Sequence, residues 1–291
     1  MRTHTKFLTI ASAAVLVAGG AMSAPASAKP VKKQATTSWA PAATASIHPG
    51  VQMYTDGAQC TANFVYTDGA GATYVGYAAH CAGLGEATDT NGCDAGSLPL
   101  GTRVEFVEGG SLLSEGTRVG SGTLAYSSWL TMQQRGETDE DACAYNDLAL
   151  VKVDAADVSK VNPSVPFWGG PVALNTTGTA TGDTVYSYGN SSLRAGIETL
   201  SPKQGTSLGT EGNGWSHPVY TVTPGVPGDS GSAFLDAEGN ALGTLSTLAI
   251  APLAGSNGVG DLAHELGYAQ QHGGISGLRL VPGTEPFSPI L

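Results

Sequence analysis

The chain has few charges and fewer of one sign. Only 13% of its 291 residues are charged, and 13 lysines and arginines face 24 acids, for a formal charge of −11. A shortage of bases argues against nucleic acid or an anionic membrane as partner, because both select for positive surface. No stretch of the sequence reaches membrane-spanning length. Helical periodicity is scarce until the last thirty residues. Only four cysteines occur, and no two stand at the two-to-four-residue spacing usual for zinc ligands. Neither acidic stretch, Glu86–Gly96 or Glu137–Asp141, has an EF-hand spacing, so both are expected as solvated loops. No metal and no cofactor is expected.

What is present begins with a leader pattern. Arg2 and Lys6 precede an apolar run over Phe7–Val17, and Ala26-Ser27-Ala28 offers a small-residue cleavage site. A membrane anchor would need a longer run, so Met1–Ala28 reads as a secretory signal. Its removal leaves 11 bases against 24 acids, a charge of −13. Export permits the cysteines to oxidise, with three pairings possible. Residues 29–46, rich in Lys, Ala, Thr and Pro, read as a flexible linker or pro-segment.

Beyond that the pattern is short β runs broken by turns. Cys60–Tyr66 and Thr73–Ala79 read as a hairpin around the Thr67–Gly71 turn. Strands are expected over Thr102–Val107, Thr117–Val119 and Gly122–Tyr126, and after Asp147. Asp154–Gly170 reads as a Pro-rich crossover. Thr184–Tyr188, Trp215–Thr223, Ala233–Leu235 and Ala241–Leu248 form a second set. Asp261–Gly273 reads as a helix with Leu262, Leu266 and Ala269 on one face, capped by Asp261 and stopped by Gly273. His264-Glu265 invites a zincin motif, but position 268 is Tyr and the second ligand is missing.

Three motifs carry chemistry. In Pro224–Gly228, four of five residues are Gly or Pro, just before Asp229-Ser230. Such a turn can aim successive backbone N–H groups into one concavity beside a serine hydroxyl, which acyl transfer requires. His80 ends a strand between small residues and a cysteine. Asp147 opens an apolar strand, where a buried carboxylate needs hydrogen-bond partners.

Gly228-Asp229-Ser230-Gly231, Ala78-Ala79-His80-Cys81 and Asp147-Leu148-Ala149-Leu150 resemble, in that family's order His, Asp, Ser, the motifs of chymotrypsin-like serine proteases. The resemblance spans His80 to about Gln271. It implies an all-β fold: two packed six-stranded antiparallel β-barrels with a C-terminal α-helix, the first over 47–165 and the second over 166–291. It implies a secreted, monomeric endopeptidase acting on protein or peptide, with Ser230 as nucleophile, His80 as base and Asp147 as its orienting carboxylate. The N–H groups of Gly228 and Ser230 would form the oxyanion hole, with Gly228 in a backbone geometry that suits glycine. Ser246 would hydrogen-bond Asp147, and Asp229 would be buried against a cation. Pro224, Gly225, Thr247, Leu248 and Gly258 would line the specificity pocket. Cys60 would bridge Cys81. Cys93 and Cys143 remain, a pair the resemblance does not support.

The sequence also departs from that family. The aliphatic-Gly-Gly start of its activated chains is absent, and an arginine within the chain is the alternative partner for Asp229. The cysteine common three residues before Gly-Asp-Ser is absent too. An aspartate stands at the Pro224 place in trypsin-type members, and a histidine at the Leu245 place in glutamate-specific ones, so a small or apolar preference is expected. A catalytically inactive binding protein on the same fold, or an esterase using the same triad, are the alternatives. A Gly-x-Ser-x-Gly elbow is absent because position 232 is Ser.

Overall fold

A computed structural model describes residues 38–84, 91–248 and 255–289. The expected signal and residues 29–37 of the expected linker lie outside the described residues. The remainder of that linker is anchored. Trp39 packs on the core, the Ala40 N–H donates to Val161 O at 2.9 Å, and Ala42–Thr44 forms a 3₁₀ turn.

The first half is built on β1 (Gln52–Thr55), β2 (Ala58–Thr61), β3 (Val65–Thr67), β4 (Thr73–Ala78), β5 (Arg103–Glu108), β6 (Thr117–Ser127) and β7 (Leu148–Val153). Asp56-Gly57, both at positive φ, makes the two-residue turn that joins β1 to β2. Two helices stand between β6 and β7: α1 (Ser128–Arg135) and α2 (Glu140–Tyr145). The second half holds β8 (Thr184–Tyr188), β9 (Pro202–Ser207), β10 (Ser216–Thr221), β11 (Ala233–Leu235), β12 (Ala241–Leu248), β13 (Asn257–Asp261), α3 (Leu262–His272) and β14 (Arg279–Leu280).

The second half closes as expected into a six-stranded antiparallel barrel, β10-β13-β12-β11-β8-β9, filled by Val185, Val219, Phe234, Leu242, Leu245 and Val259. The first does not form a separate six-stranded barrel. It is one antiparallel sheet of eight strands, β14-β3-β4-β7-β6-β5-β1-β2. Two causes are visible. The expected strand Cys60–Tyr66 is broken at Asn63, whose Oδ1 accepts the Phe64 N–H, so its two parts join opposite sides of the sheet. The chain's end also returns from the second half, and β14 pairs with β3.

Helices α1 and α2 stand on either side of the expected acidic loop, whose last two residues, Glu140 and Asp141, begin α2. Ser127 caps α1 and Gly136, left-handed at φ 64°, ends it. Trp129 and Met132, three residues apart, give α1 its buried face. Asp139 accepts the N–H groups of Asp141 and Ala142 to start α2, so this exposed loop acid is also a cap. The runs at Thr117–Val119 and Gly122–Tyr126 are one strand with a bulge.

Helix α3 lies where expected, capped by Asp261, with Leu262, Leu266 and Ala269 buried in the cluster that also holds Leu148, Leu150, Trp168 and Leu235. That shared cluster joins the sheet to the barrel. Both disulfides are present, Cys60–Cys81 and Cys93–Cys143. No helix among the described residues is long and apolar enough to cross a membrane.

Candidate active site

Strand β4 ends at Ala78, and the next residues wind into a short 3₁₀ turn, Ala79–Ala82, that carries His80. The disulfide from Cys81 to Cys60 on β2 fixes this turn from one side. From the other, Ala79 donates its N–H to Asp147 O at 2.7 Å. Asp147 sits between α2 and β7 and is almost wholly buried. Its Oδ1 accepts the backbone N–H of His80 at 2.8 Å, and its Oδ2 meets His80 Nδ1 at 2.7 Å. An ionised carboxylate only accepts, so Nδ1 carries the proton and the neutral ring leaves Nε2 with its lone pair free. Burial pulls the imidazole pKa down. The Asp147 charge and the hydrogen bond to it outweigh that pull and hold the ring above the usual histidine value.

Ser246, on β12 of the barrel, donates its hydroxyl to Asp147 Oδ2 at 2.6 Å. Asp147 thus belongs to the sheet by sequence but is held from both halves.

The Pro224–Ser232 loop brings Ser230 to the same place. Thr61 N–H donates to Ser230 O at 2.8 Å, tying the loop to β2 next to the disulfide. Gly231, at φ +89°, lies flat on the end of β4: a Cβ there would stand 2.8 Å from Ala78 N, two residues before His80. Gly231 N–H to Leu245 O at 2.7 Å and Leu245 N–H to Ser232 O at 2.9 Å anchor the loop's other side. Among the described residues, neither Ser230 Oγ nor His80 Nε2 has a hydrogen-bond partner.

The backbone ahead of Ser230 is turned the same way. Pro227 O is held by Ser191 Oγ at 2.6 Å. The peptide that follows is trans, so the Gly228 N–H points away from Ser191. Gly228 O is held by Thr61 Oγ1 at 2.7 Å and Gln59 Nε2 at 3.0 Å. Gly228 has φ +94°, and a Cβ there would run into Gln59 Oε1. Among the described residues, the N–H groups of Gly228 and Ser230 have no partner, while that of Asp229 goes back to Val226 O at 2.8 Å.

Asp229 is fully buried and doubly paired. Arg194 Nη2 lies 2.5 Å and Lys203 Nζ 3.0 Å from its Oδ2, and Ser191 N–H donates to Oδ1 at 3.0 Å. Burial holds Lys203 below the ordinary lysine value although Asp229 pulls the other way, and Arg194 adds to the depression.

The remaining candidates fall on two walls. Gly225 N–H donates to Asn257 Oδ1 at 2.8 Å, and Asn257 Nδ2 donates to Thr247 O at 3.2 Å. Thr247 pairs with Gly258 across β12 and β13, Leu248 pairs with Asn257, and Pro224 O accepts from Arg194 Nη2 at 3.0 Å. Residues 249–254 lie outside the described residues. Asn257, Gln59, Lys203 and Ser191 were not singled out in the sequence. Each works through partners far along the chain, so no local pattern marks it. Cys60, His80 and Cys81 cluster within 4.8 Å, but both sulfurs are spent in the disulfide and offer no thiolate.

The solved structures that this chain resembles are those of bacterial serine proteases. Thermobifida fusca protease A is 20% identical, with 81% of this chain and 99% of that one covered at TM-score 0.47. For the Nocardiopsis protease the figures are 18%, 80%, 98% and 0.46, and for Cellulomonas bogoriensis chymotrypsin 19%, 81%, 98% and 0.47. No protein-family model and no curated protein matches the chain.

Proposed function

We propose that the protein is a secreted serine endopeptidase that cleaves peptide bonds through an acyl-enzyme. The observation that carries this is the His80 ring, fixed by Asp147 through Nδ1 at 2.7 Å, on the turn that follows the strand end against which Gly231 of the Ser230 loop packs. Ser230 attacks the carbonyl while Nε2 takes its proton; the same imidazolium then protonates the leaving amine. The negative oxygen of the tetrahedral intermediate is received by the N–H groups of Gly228 and Ser230, which have no partners of their own among the described residues. Asp147 keeps the ring in the productive tautomer, and Ser246 and the His80 N–H hold its carboxylate in place.

The pairing of Asp229 with Arg194 and Lys203 supports an oxyanion loop that is formed without a newly released N-terminus. The leader pattern and two disulfides support export to an oxidising space. Pro224 puts no charge at the pocket floor, and Arg194 beside it is committed to Asp229 and to Pro224 O. A small or apolar residue before the cleaved bond fits such a pocket.

Incubation of the secreted protein with a peptide library, read by mass spectrometry, tests this. Internal cleavage after small or apolar residues, abolished in Ser230→Ala, is the expected result. No cleavage by the wild type would remove the proposal, and cleavage mainly after Arg or Glu would remove its specificity.

A further inference from the structure

Glu265, in the first turn of α3, is a carboxyl with no contact to solvent. Its Oε1 accepts the backbone N–H of Asp147 at 3.1 Å, and its Oε2 lies 2.8 Å from the hydroxyl of Thr244. Thr244 is on β12, two residues before Ser246, and its hydroxyl also receives Asn63 Nδ2 at 3.3 Å. One side chain therefore joins the C-terminal helix, the barrel strand that supplies Ser246, and the residue that orients His80. An ordinary helix needs no acid here, for the neighbouring buried positions, Leu262, Leu266 and Ala269, are apolar.

We infer that Glu265 is a positioning residue for Asp147, a strut by which helix α3 holds the Asp147 backbone while Ser246 holds its carboxylate. The inference rests on the proposed protease function for its catalytic consequence, though not for its geometry.

The surroundings of the strut favour its neutral form. Burial pushes its pKa well up, against the pull of the Thr244 hydrogen bond. The charged groups that act on it are the carboxylates of Asp147 at the entry of β7 and Asp261 at the start of α3, both of like sign. Tyr66 on β3 and Tyr126 on β6 also face it, and burial holds both phenols well above their usual range. In the ionised form Thr244 donates to Oε2; in the protonated form the carboxyl still accepts the Asp147 N–H at one oxygen and, once the Thr244 hydroxyl turns to accept, donates with the other. In that form it orients Asp147 without adding a second negative charge to the site.

The test compares Glu265→Gln and Glu265→Leu in the full chain, by the rate at which a phosphonofluoridate labels Ser230 across pH. The amide preserves both hydrogen bonds and the charge. Glu265→Gln should therefore label within about threefold of wild type with its acid limb unmoved, whereas Glu265→Leu, which orphans the Asp147 N–H, should slow about tenfold or more. Wild-type labelling by the leucine variant would overturn the inference. So would an acid limb displaced downward by about half a pH unit or more in the glutamine variant, which would mark a lost charge. The downfield proton resonance of the His80–Asp147 hydrogen bond gives a readout independent of catalysis. It should persist in Glu265→Gln and shift or vanish in Glu265→Leu, even if the wild type proves not to react. Should the leucine variant fail to fold, Thr244→Val removes one anchor of the strut and should slow labelling several-fold; an unchanged rate and resonance there overturn the inference as well.

Discussion

Asp147 takes hydrogen bonds from three directions, and His80 inherits its properties from that. Because the Asp147 charge holds the imidazole above 6.5, the ring is an effective base only at higher pH. The acid limb of kcat/KM should therefore have its midpoint above 6.5, measured on a peptide ester; a midpoint below it would mean that burial dominates. Asp147→Asn should cost about 10⁴-fold in kcat, because an amide can present its N–H to Nδ1 and favour the wrong tautomer. Asp229 is a separate matter, of stability. Asp229→Asn leaves two buried cations without their carboxylate and should cost about 3–5 kcal/mol in urea unfolding, while Lys203→Met leaves Asp229 still paired with Arg194 and should change little, about 1 kcal/mol or less. Equal losses in the two variants would show that Lys203 is an essential half of the pair. His80, Asp147, Ser230 and Ser246 could be singled out in the sequence because each sits in a short local pattern. Lys203 could not. A lysine in the polar run of β9 looks solvent-facing until the fold sets it against Asp229, and nothing near it in the chain says so.

Secondary structure was readable where a turn or cap announced it and hidden where context overrode pattern. Asp261 marked the start of α3, and its side chain does accept the His264 N–H at 2.9 Å. The same carboxylate also takes His217 Nε2 at 2.8 Å, a buried partner from β10. Burial raises the Asp261 pKa, but the hydrogen bonds from His217 and His264 outweigh it, so the net shift is downward. A depressed carboxyl contributes stability above its unfolded pKa and loses it as pH falls through the folded one. Asp261→Ala should therefore cost about 1–2 kcal/mol at neutral pH, with the difference from wild type vanishing only below pH 3.8. A difference that persisted unchanged to lower pH would assign the loss to packing instead. Helices α1 and α2 escaped notice because their caps, Ser127, Gly136 and Asp139, bracket segments too short for periodicity to register. The break at Asn63 was equally silent, since the run from Cys60 to Tyr66 looks like one strand until its two halves are seen on different sides of the sheet.

The two halves of the molecule meet around the Leu148–Leu150–Trp168–Leu235–Leu262 cluster and are strapped by the returning tail. Val281 N–H donates to Val65 O at 2.9 Å and Ser288 N–H to Trp168 O at 2.7 Å. That long return supplies the eighth strand of the first half's sheet. No sequence pattern tells a two-residue strand at 279–280 which edge it will join. The disulfides divide their work between these parts. Either one should contribute about 2–4 kcal/mol by limiting the unfolded chain. Replacing Cys60 and Cys81 by alanine should also lower the rate at Ser230, because that bridge holds the His80 turn; replacing Cys93 and Cys143 should cost stability with a smaller effect on rate. Thermal melting and labelling on the two double variants separate the cases, and equal loss of rate would contradict the assignment. The central claim is tested most directly by treating the secreted protein with a phosphonofluoridate and mapping the adduct by mass spectrometry. The account predicts one adduct, on Ser230, lost in His80→Ala. A protein that stays unlabelled, or is labelled elsewhere while Ser230 remains free, would contradict it.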